Sequence, residues 1–465
     1  MRISSNTIYD LGVGSIQQQT IDMLHTQQQV SSGRRILAPS DDPVAAAQVL
    51  DVTQLSDLNS QFNANTTTAT SSLQMEESIL SSITSLIQDA QTLTVNAGNA
   101  ALSNVDRASQ ATELQGSLKA LLGLANSTDG AGQYMFAGYK GTTTPFTEVA
   151  PGNIAYNGDQ GQRLISITSN RQVAVSDSGS DVFQRIKNGN GTFVTAASGT
   201  NTGSGIVSPG VVVDGTKWAA SKQNYQIVFA VDNTGSLPVT TYDIIDPTTN
   251  NSMVTGAPSQ ALASATGGAR FPRVYTSDSV ISFKQLATDP GQPQYPASQP
   301  AGFATAAAWD YGNTVSINGV PASSQAVGLY APAPGIDSFT VKASTNQDLF
   351  TTINNLITAL QTPTTVTSGQ AGLTNGLNTA MSNLDSALNN ILTVRASVGA
   401  RLKEISAVQN TGGDLSLQYQ QVTSQLQDVD YAKAISDLTR QQTNLEAAQK
   451  SYLKVQGLSL FSMMP

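Results

Sequence analysis

Apolar residues near the N-terminus recur every seven residues along one line of a predicted helix, about residues 4–32. The line consists of Tyr9, Ile16, Met23 and Val30, and most positions three or four residues further on are polar or glycine. A stripe this narrow buries too little surface to hold a helix in its own domain. The helix is therefore either a frayed terminus or one that becomes stable when neighbours supply the missing contacts.

A stop and a restart of the helical pattern follow at once, in VSSGRRILAPSDDPVAAAQ. Gly33 can take the left-handed conformation that ends a helix. Pro39 stiffens the crossing, and Asp42 followed by Pro43 suits the start of a new helix. We name this segment, residues 33–43, the joint, and we interpret it as a spoke between an outer helix and the next domain.

The charged residues of the joint allow more than one interpretation. Asp41 and Asp42 could suggest acid–base or metal chemistry, but carboxylates beside a helix start usually serve as caps. Arg34 and Arg35 could pair with carboxylates of a neighbouring subunit, or they could be solvated linker charges that contribute little.

The helix that starts at Asp42–Pro43 has a richer apolar pattern, although Asn65, Ser72 and Glu76 dilute its middle. Further helices are predicted at 105–125 and at 349–360. The strongest coiled-coil pattern in the chain has one apolar residue every seven positions. Its members are Leu377, Leu384, Ile391, Val398 and Ile405.

The C-terminal end repeats this organisation. A break is predicted at Gly412–Gly413, and the seven-residue repeat then changes phase across DVDY, residues 428–431. A last helix carries a sparse seam and can be capped by Gly457. Its seam residues are Tyr431, Leu438, Leu445 and Tyr452, with Val455 beside them. Each end thus has an outer helix with a sparse seam, and we expect the two outer helices to pair and to present an association surface.

The middle of the chain has the signals of β structure. Of the 18 prolines, two precede residue 140 and two follow residue 345, so turns concentrate between these positions. Short β-prone segments alternate there with Gly, Pro, Asn and Asp. They are LISITS, RQVAVS, GIVSPGVVV, NYQIVFAVD, TTYDIID, DSVISF, NTVSI and DSFTVKA. Trp218 and Trp309 are interpreted as core residues rather than ligand platforms.

These patterns predict an α+β protein, in which long N- and C-terminal helices form a coiled-coil-like bundle around an inserted β-rich outer domain. The predicted parts are a core helix and spoke (1–42), the first part of the bundle (43–140), the β-rich insertion (141–345), the second part of the bundle (346–429) and a C-terminal core helix (430–465).

The amino-acid composition argues against several classes of function. The net charge of −9 argues against nucleic-acid binding. No apolar run approaches the length of a membrane-spanning helix, so we expect no membrane insertion. There is no cysteine and a single histidine, His25, which leaves no basis for a thiol nucleophile or a His-rich zinc site. We predict no catalytic, cofactor or metal site and hence no enzyme. MRISSNTIYD lacks secretory-signal features, so we expect a cytosolic protein or one exported without a cleaved signal.

Several stretches resemble the flagellin superfamily. MRIS, SSGRRILAPSDDPVAAAQ (31–48), RASVGARLKEI (395–405) and the segment from Asp428 to Phe461 are similar to its terminal patterns. GQYMFAGYKGTTTPF (132–146), YNGDQGQRLISI (156–167) and GIDSFTVKASTNQDLFTTINNLITAL (335–360) are similar to motifs of the branch that joins hook to filament. Residues 170–335 resemble nothing identifiable.

The resemblance implies a structural axial protein that is exported and assembled outside the cell, in the bacterial flagellum. Expected partners are further copies of itself in a ring or short helical zone, hook-associated protein 1, flagellin, and an export chaperone on the C-terminal helix. Three alternatives remain open: a filament-forming flagellin, hook-associated protein 1 itself, and a protein whose outer domain binds glycans or carries other chemistry. A zinc protease motif of the kind known in enzymatic flagellins is excluded by the single histidine.

Overall fold

The computed structural model describes residues 5–232, 234–263, 268–296, 301–322, 336–364 and 367–461. These residues form two compact units. Unit 1 comprises the described residues up to Ala69, the segment Ile165–Val173 and the chain from Lys403 onward. Unit 2 comprises Thr70–Leu164 and Ala174–Leu402. The five-part division by residue ranges stays a prediction.

The helices follow the apolar periodicity of the sequence. Their bounds are α1 Ser5–Ser32, α2 Pro43–Ala97, α3 Asn104–Ala125, α4 Gly215–Ala219, α5 Leu349–Gln361, α6 Thr367–Gln427 and α7 Tyr431–Phe461, with a π-helical turn at Ser180–Gln184.

The strands are short and lie between α3 and α5. They are β1 Phe146–Ala150, β2 Asn153–Tyr156, β3 Leu164–Thr168, β4 Arg171–Ala174, β5 Ile186–Lys187, β6 Phe193–Ala197, β7 Ile206–Val207, β8 Val211–Val212, β9 Asn224–Asp232, β10 Val239–Asp246, β11 Asn251–Ser252, β12 Leu262–Ala263, β13 Ala269–Arg270, β14 Arg273–Val274, β15 Val280–Lys284, β16 Asp310–Asn318, β17 Ser338–Ala343 and β18 Asn346–Gln347. Long terminal helices around a β-rich middle confirm the predicted fold class.

Unit 1 is built from helices and one hairpin. Helix α1 packs along α7, and the Asn59 Nδ2 of α2 donates to the Gly412 carbonyl of α6 at 2.8 Å. The β3–β4 hairpin is fastened to both long helices: Asn65 Nδ2 donates to the Ser166 carbonyl at 2.8 Å, and Arg171 forms two bonds with the Glu404 carboxylate, at 2.5 and 2.9 Å.

In unit 2 the same two long helices form an antiparallel pair. Gln91 of α2 binds Asp385 of α6 at 2.7 Å, and Glu77, earlier in α2, accepts from Arg395, later in α6, at 2.6 Å. Apolar side chains of both helices are fully buried, and α3 packs against α5. The buried residues include Leu73, Leu80, Ile83, Ile87, Leu384, Ile391 and Val398.

The β-rich part of unit 2 has two main sheets. One has the order β11-β10-β9-β17-β6 with β14 also on β10, and the other has the order β15-β16-β7 with β8 also on β16. Alternate residues of both sheets share one core. Trp218 lies in that core and is 2% exposed, which confirms the prediction made for it. Trp309 is partly buried and packs against the same core.

Three asparagine side chains of α6 form hydrogen bonds with backbone atoms of the inserted β-rich segment. Asn375 accepts from the Val207 amide at 2.8 Å and donates to the Gly205 carbonyl at 3.0 Å. Asn383 accepts from the Gly189 amide at 2.8 Å. Asn390 donates to the carbonyls of Asp181 and Val182. Because these bonds reach backbone atoms, they do not depend on the side chains of the inserted segments.

Two predicted helix ends were wrong. Helix α6 runs through Gly412–Gly413 without a break, and α7 continues past Gly457 to Phe461. Gly412 lies where α2 approaches: a Cβ there would stand 2.3 Å from Asn63 Oδ1. Each glycine costs a helix about 1 kcal/mol, so the pair costs about 2 kcal/mol, which tertiary packing can outweigh.

Candidate assembly site: the joint and the outer helix pair

The joint lies beside the second interruption of the helices, residues 428–430 between α6 and α7. The Arg35 amide donates to the Gln427 carbonyl at 2.7 Å, and the Val429 amide donates to the Gly33 carbonyl at 2.9 Å. Arg34 and Asp428 thereby form an antiparallel β-bridge. The two crossings between outer and inner helices are therefore one hydrogen-bonded element, although they are far apart in sequence.

Arg35 stabilises this element through hydrogen bonds to other residues of the same chain. Its Nη1 donates to Asp42 Oδ2 at 3.0 Å and its Nη2 to the Leu426 carbonyl at 2.7 Å. Its own carbonyl accepts from Gln29 Nε2 at 2.6 Å. Arg34 is exposed and forms no ion pair with any residue in the part of the chain that the structure describes. A bond from Arg34 to a neighbouring subunit stays a prediction.

The two carboxylates of the joint accept backbone hydrogen bonds. The amides of Ala38 and Leu37 donate to Asp41 Oδ2, each at 2.9 Å, and these bonds hold the pKa of Asp41 below its ordinary value. The Ala45 amide donates to Asp42 Oδ1 at 3.0 Å. This bond, followed by the one from Arg35, lowers the pKa of Asp42. Asp42 therefore caps α2.

Pro43 is the first residue of α2, where its missing N–H costs no bond. Pro39 is exposed and lies in the crossing itself. The lone histidine, His25, places Nε2 at 3.3 Å from Asp41 Oδ1, so it faces the joint from α1.

Gly33 has a φ of +72°, the left-handed conformation expected at a helix end. A Cβ at this position would stand 2.9 Å from the Tyr431 hydroxyl oxygen, at the start of α7. Both backbone conformation and space therefore require glycine at residue 33.

The start of α7 is capped by Asp430, whose Oδ1 accepts from the Lys433 amide at 3.1 Å.

The predicted seam residues of α1 are only half-buried, and so are most of those on α7. Tyr9 meets Tyr452 edge-on, with ring centroids 6.3 Å apart, and a Cβ on Gly12 would stand 3.0 Å from the Tyr452 ring. The half-buried set is Tyr9, Ile16, Met23, Val30, Leu438, Leu445 and Tyr452. Tyr431 is 53% exposed. The side chain of Val455 lies outside what the structure describes.

Both outer helices also carry apolar side chains that their pairing leaves in water. Leu11, Ile21 and Leu24 of α1 are 67%, 58% and 48% exposed. Ile435 and Leu453 of α7 are 52% and 65% exposed. Single exposed apolar residues are ordinary, but a series along one helix pair is typical of an interaction surface.

An apolar groove of about 430 Å³ also lies in unit 1, between α2, α6 and the β3–β4 hairpin. Its walls carry no charged side chain. They include Leu55, Leu58, Phe62, Ile167, Val408, Leu415 and Tyr419.

The described residues have neither a metal-ligand cluster nor a membrane-spanning helix. They contain no group of three or more His, Cys, Asp or Glu side chains placed to hold a metal ion. Among the described helices, none combines the length and hydropathy needed to cross a bilayer.

Several known proteins are similar to this chain. A family model described as the bacterial flagellin N-terminal helical region matches residues 3–141. Flagellar hook-associated protein 3 of Salmonella typhimurium is 26% identical over 100% of this chain and 99% of its own length. The protein of the same name from Escherichia coli is 27% identical over the same shares. The chain is thus similar to flagellins over its N-terminal part and to flagellar hook-associated protein 3 over its whole length.

A solved structure has a similar fold. The crystal structure of the flagellar junction protein FlgL from Legionella pneumophila superposes with a TM-score of 0.62 at 28% identity, covering 83% of this chain and 100% of that one. The two relatives named above, which match this chain over its whole length, are flagellar hook-associated proteins by name.

Proposed function

We propose that this chain is a structural axial protein of the bacterial flagellum that joins the hook to the filament, and that its outer helices complete their packing only against neighbouring subunits. The observation that carries the proposal is the outer helix pair. Its seam is half-buried, and a second series of apolar side chains, Leu11, Ile21 and Leu24 among them, faces water.

The energetics favour completion by neighbours. Helices of 28 and 31 residues joined by one sparse seam gain little from their own pairing, because most helix stability in proteins comes from buried apolar faces. Full burial of one leucine or isoleucine contributes about 1.5–3 kcal/mol. Covering the exposed set in a polymer would therefore offset much of the entropy lost on ordering.

The exposed apolar surface of the outer helix pair is where we expect the proposed partners to bind. Copies of this chain would pack side by side in a ring or short helical zone, with hook-associated protein 1 on one side and flagellin on the other. Before assembly the apolar C-terminal helix would need a cover, which is the role of an export chaperone. The place of action would be the extracellular flagellum, and the role would be structural rather than enzymatic. The names of the full-length relatives support this reading.

A deletion strain tests the proposal. Loss of a junction protein should leave cells with hooks but without filaments, and flagellin should accumulate in the medium; the wild-type gene should restore filaments. Normal filaments in the deletion strain would refute the proposal. The alternative role, a filament subunit, would be favoured if the purified chain polymerised into long filaments by itself.

A further inference from the structure

A fully buried carboxyl group occupies a core position of α2 in unit 2. Glu76 is 0% exposed and lies on the same helix face as Leu73, Leu80 and Ile83, which are also fully buried. Glutamate is rarely found in such a place unless a partner balances its charge. The groups around Glu76 therefore determine whether its carboxyl group is protonated or ionised.

The neighbours of Glu76 come from two other elements. Asp177, on the segment after β4, donates its amide to Glu76 Oε1 at 3.1 Å. The Asp177 carboxylate is itself paired with Arg401 of α6 and accepts from Gln162 Nε2 at 2.7 Å. The second oxygen of Glu76, Oε2, is buried and has no hydrogen-bond partner among the described residues.

The charges in this cluster do not balance when both carboxyl groups are ionised. Arg401 supplies one positive charge and is already engaged by Asp177, so an ionised Glu76 would add an uncompensated negative charge in the core. Burial, and next the charge of Asp177, raise the pKa of Glu76 to about 8; Arg401 acts in the opposite direction. A proton on Glu76 makes the cluster neutral.

The cluster holds a particular stretch of chain. The segment Ala174–Gly179, which is buried except for the half-buried Ala174, crosses between α2 and α6. Glu76 binds the Asp177 amide from the α2 side, while Arg401 Nη1 donates to the Ala174 carbonyl at 3.1 Å from the α6 side. This stretch links the β3–β4 hairpin to the β-rich part of unit 2.

We propose that Glu76 is a protonated, uncharged carboxylic acid in the folded subunit, and that its ionisation releases the segment Ala174–Gly179 from α2. Glu76, Asp177 and Arg401 then form a pH-sensitive latch. The latch is independent of the function proposed above, because it rests only on contacts inside unit 2.

The direction of the pH effect follows from the raised pKa. In the unfolded chain Glu76 titrates near its ordinary value of 4.5, and in the folded chain near 8. The folded state binds more protons between these values, so stability falls as pH rises across this range. The contribution of the bound proton is complete below the unfolded value and is lost as pH rises through about 8.

The substitution Glu76→Gln tests the latch in the full-length chain, because an amide has nearly the same shape and cannot ionise. The melting temperature of the wild type should fall as pH rises through about 8. That of Glu76→Gln should stay nearly flat and exceed the wild-type value at alkaline pH by roughly 2–4 °C or more. Glu77→Gln is the matched control: Glu77 is the next residue of the helix and pairs with Arg395, and its variant should keep the wild-type slope.

A second measurement needs no variant. The infrared spectrum of the wild type at neutral pH should contain the band of a buried protonated carboxyl group, and this band should disappear at alkaline pH. The proposal is overturned if Glu76→Gln keeps the wild-type pH slope. If that variant does not fold, the absence of the band from the wild type overturns it instead.

Discussion

The carbonyl oxygen of Gly33 accepts a hydrogen bond of 2.9 Å from the amide of Val429, which lies 396 residues later in the chain. The exit of α1 and the entry to α7 are thereby tied to each other. This bond therefore helps to set how the two outer helices are positioned for assembly. The joint is therefore the first place to test by mutation.

Replacing Gly33 by alanine should destabilise the joint. The residue has a φ of +72°, and a left-handed conformation costs a residue with a Cβ roughly 1–2 kcal/mol. The added Cβ would also press on the Tyr431 hydroxyl. Thermal unfolding of the full chain should show a lower melting temperature, and Gly33→Asn should lose less because asparagine tolerates this conformation.

Gly14→Ala is the control for that prediction. Gly14 lies within α1, and a Cβ there would meet nothing within 4 Å. Alanine in a helix is favoured over glycine by about 0.5–1 kcal/mol, so this variant should melt at or above the wild-type temperature. If Gly33→Ala melted as late as Gly14→Ala, the joint would not depend on the geometry described for it.

The Asp42 cap should make stability sensitive to acid. Its lowered pKa means that its contribution is present above the ordinary carboxyl value and is lost as pH falls through the lowered folded value. Asp42→Asn keeps a capping oxygen but loses the charge facing Arg35. The variant should melt below the wild type at neutral pH, and the two curves should converge in acid. A difference that stayed constant at all pH values would contradict this.

Leu24→Asp should prevent assembly without unfolding the subunit. Leu24 is 48% exposed on α1, and surface substitutions usually change stability by less than about 0.5 kcal/mol. A charge there could not be buried against a neighbour. Electron microscopy should show hooks without filaments, while the purified variant melts like the wild type.

The matched control for that variant is Leu237→Asp. Leu237 is 76% exposed and precedes β10 in the β-rich part of unit 2, away from the outer helices in sequence. Cells carrying this variant should swim normally. Equal loss of filaments in both variants would mean that α1 is not a specific assembly surface.

The β-rich part should depend on one buried ion pair. Arg273 donates to both oxygens of Asp289 at 2.7 Å, and the two side chains are 3% and 0% exposed. Asp289→Ala leaves a buried charge without its partner, which costs about 3–5 kcal/mol. Asp310→Ala removes a pair with the half-exposed Lys217, and chemical denaturation should detect no comparable loss. Similar losses in the two variants would contradict the argument.

Much of the fold was predictable because it follows apolar periodicity. The heptad of α6, Leu377 to Ile405, is buried at every member, and the predicted short helix at 349–360 corresponds to α5, Leu349–Gln361. The restart at Pro43 and the left-handed Gly33 were also visible, because each uses a residue type with one dominant conformational preference.

What the sequence could not supply are contacts between distant segments. The predicted break at Gly412–Gly413 was wrong because local preference does not show that α2 approaches there. Glu76 looked like a dilution of the apolar face, whereas the structure places it in the core beside Asp177. The pairing of the joint with residues 427–429 was also missed; the phase change across DVDY marked the second crossing but not its partner.

Hydrogen exchange on the free subunit tests most directly the claim that the outer helices are completed by neighbours. The amides of α1 and α7 should exchange far faster than those of the α2 and α6 core around Leu80 and Ile391, and they should become protected when the subunit is assembled with its flagellar partners. Protection of α1 and α7 in the free subunit equal to that of the core would contradict the account.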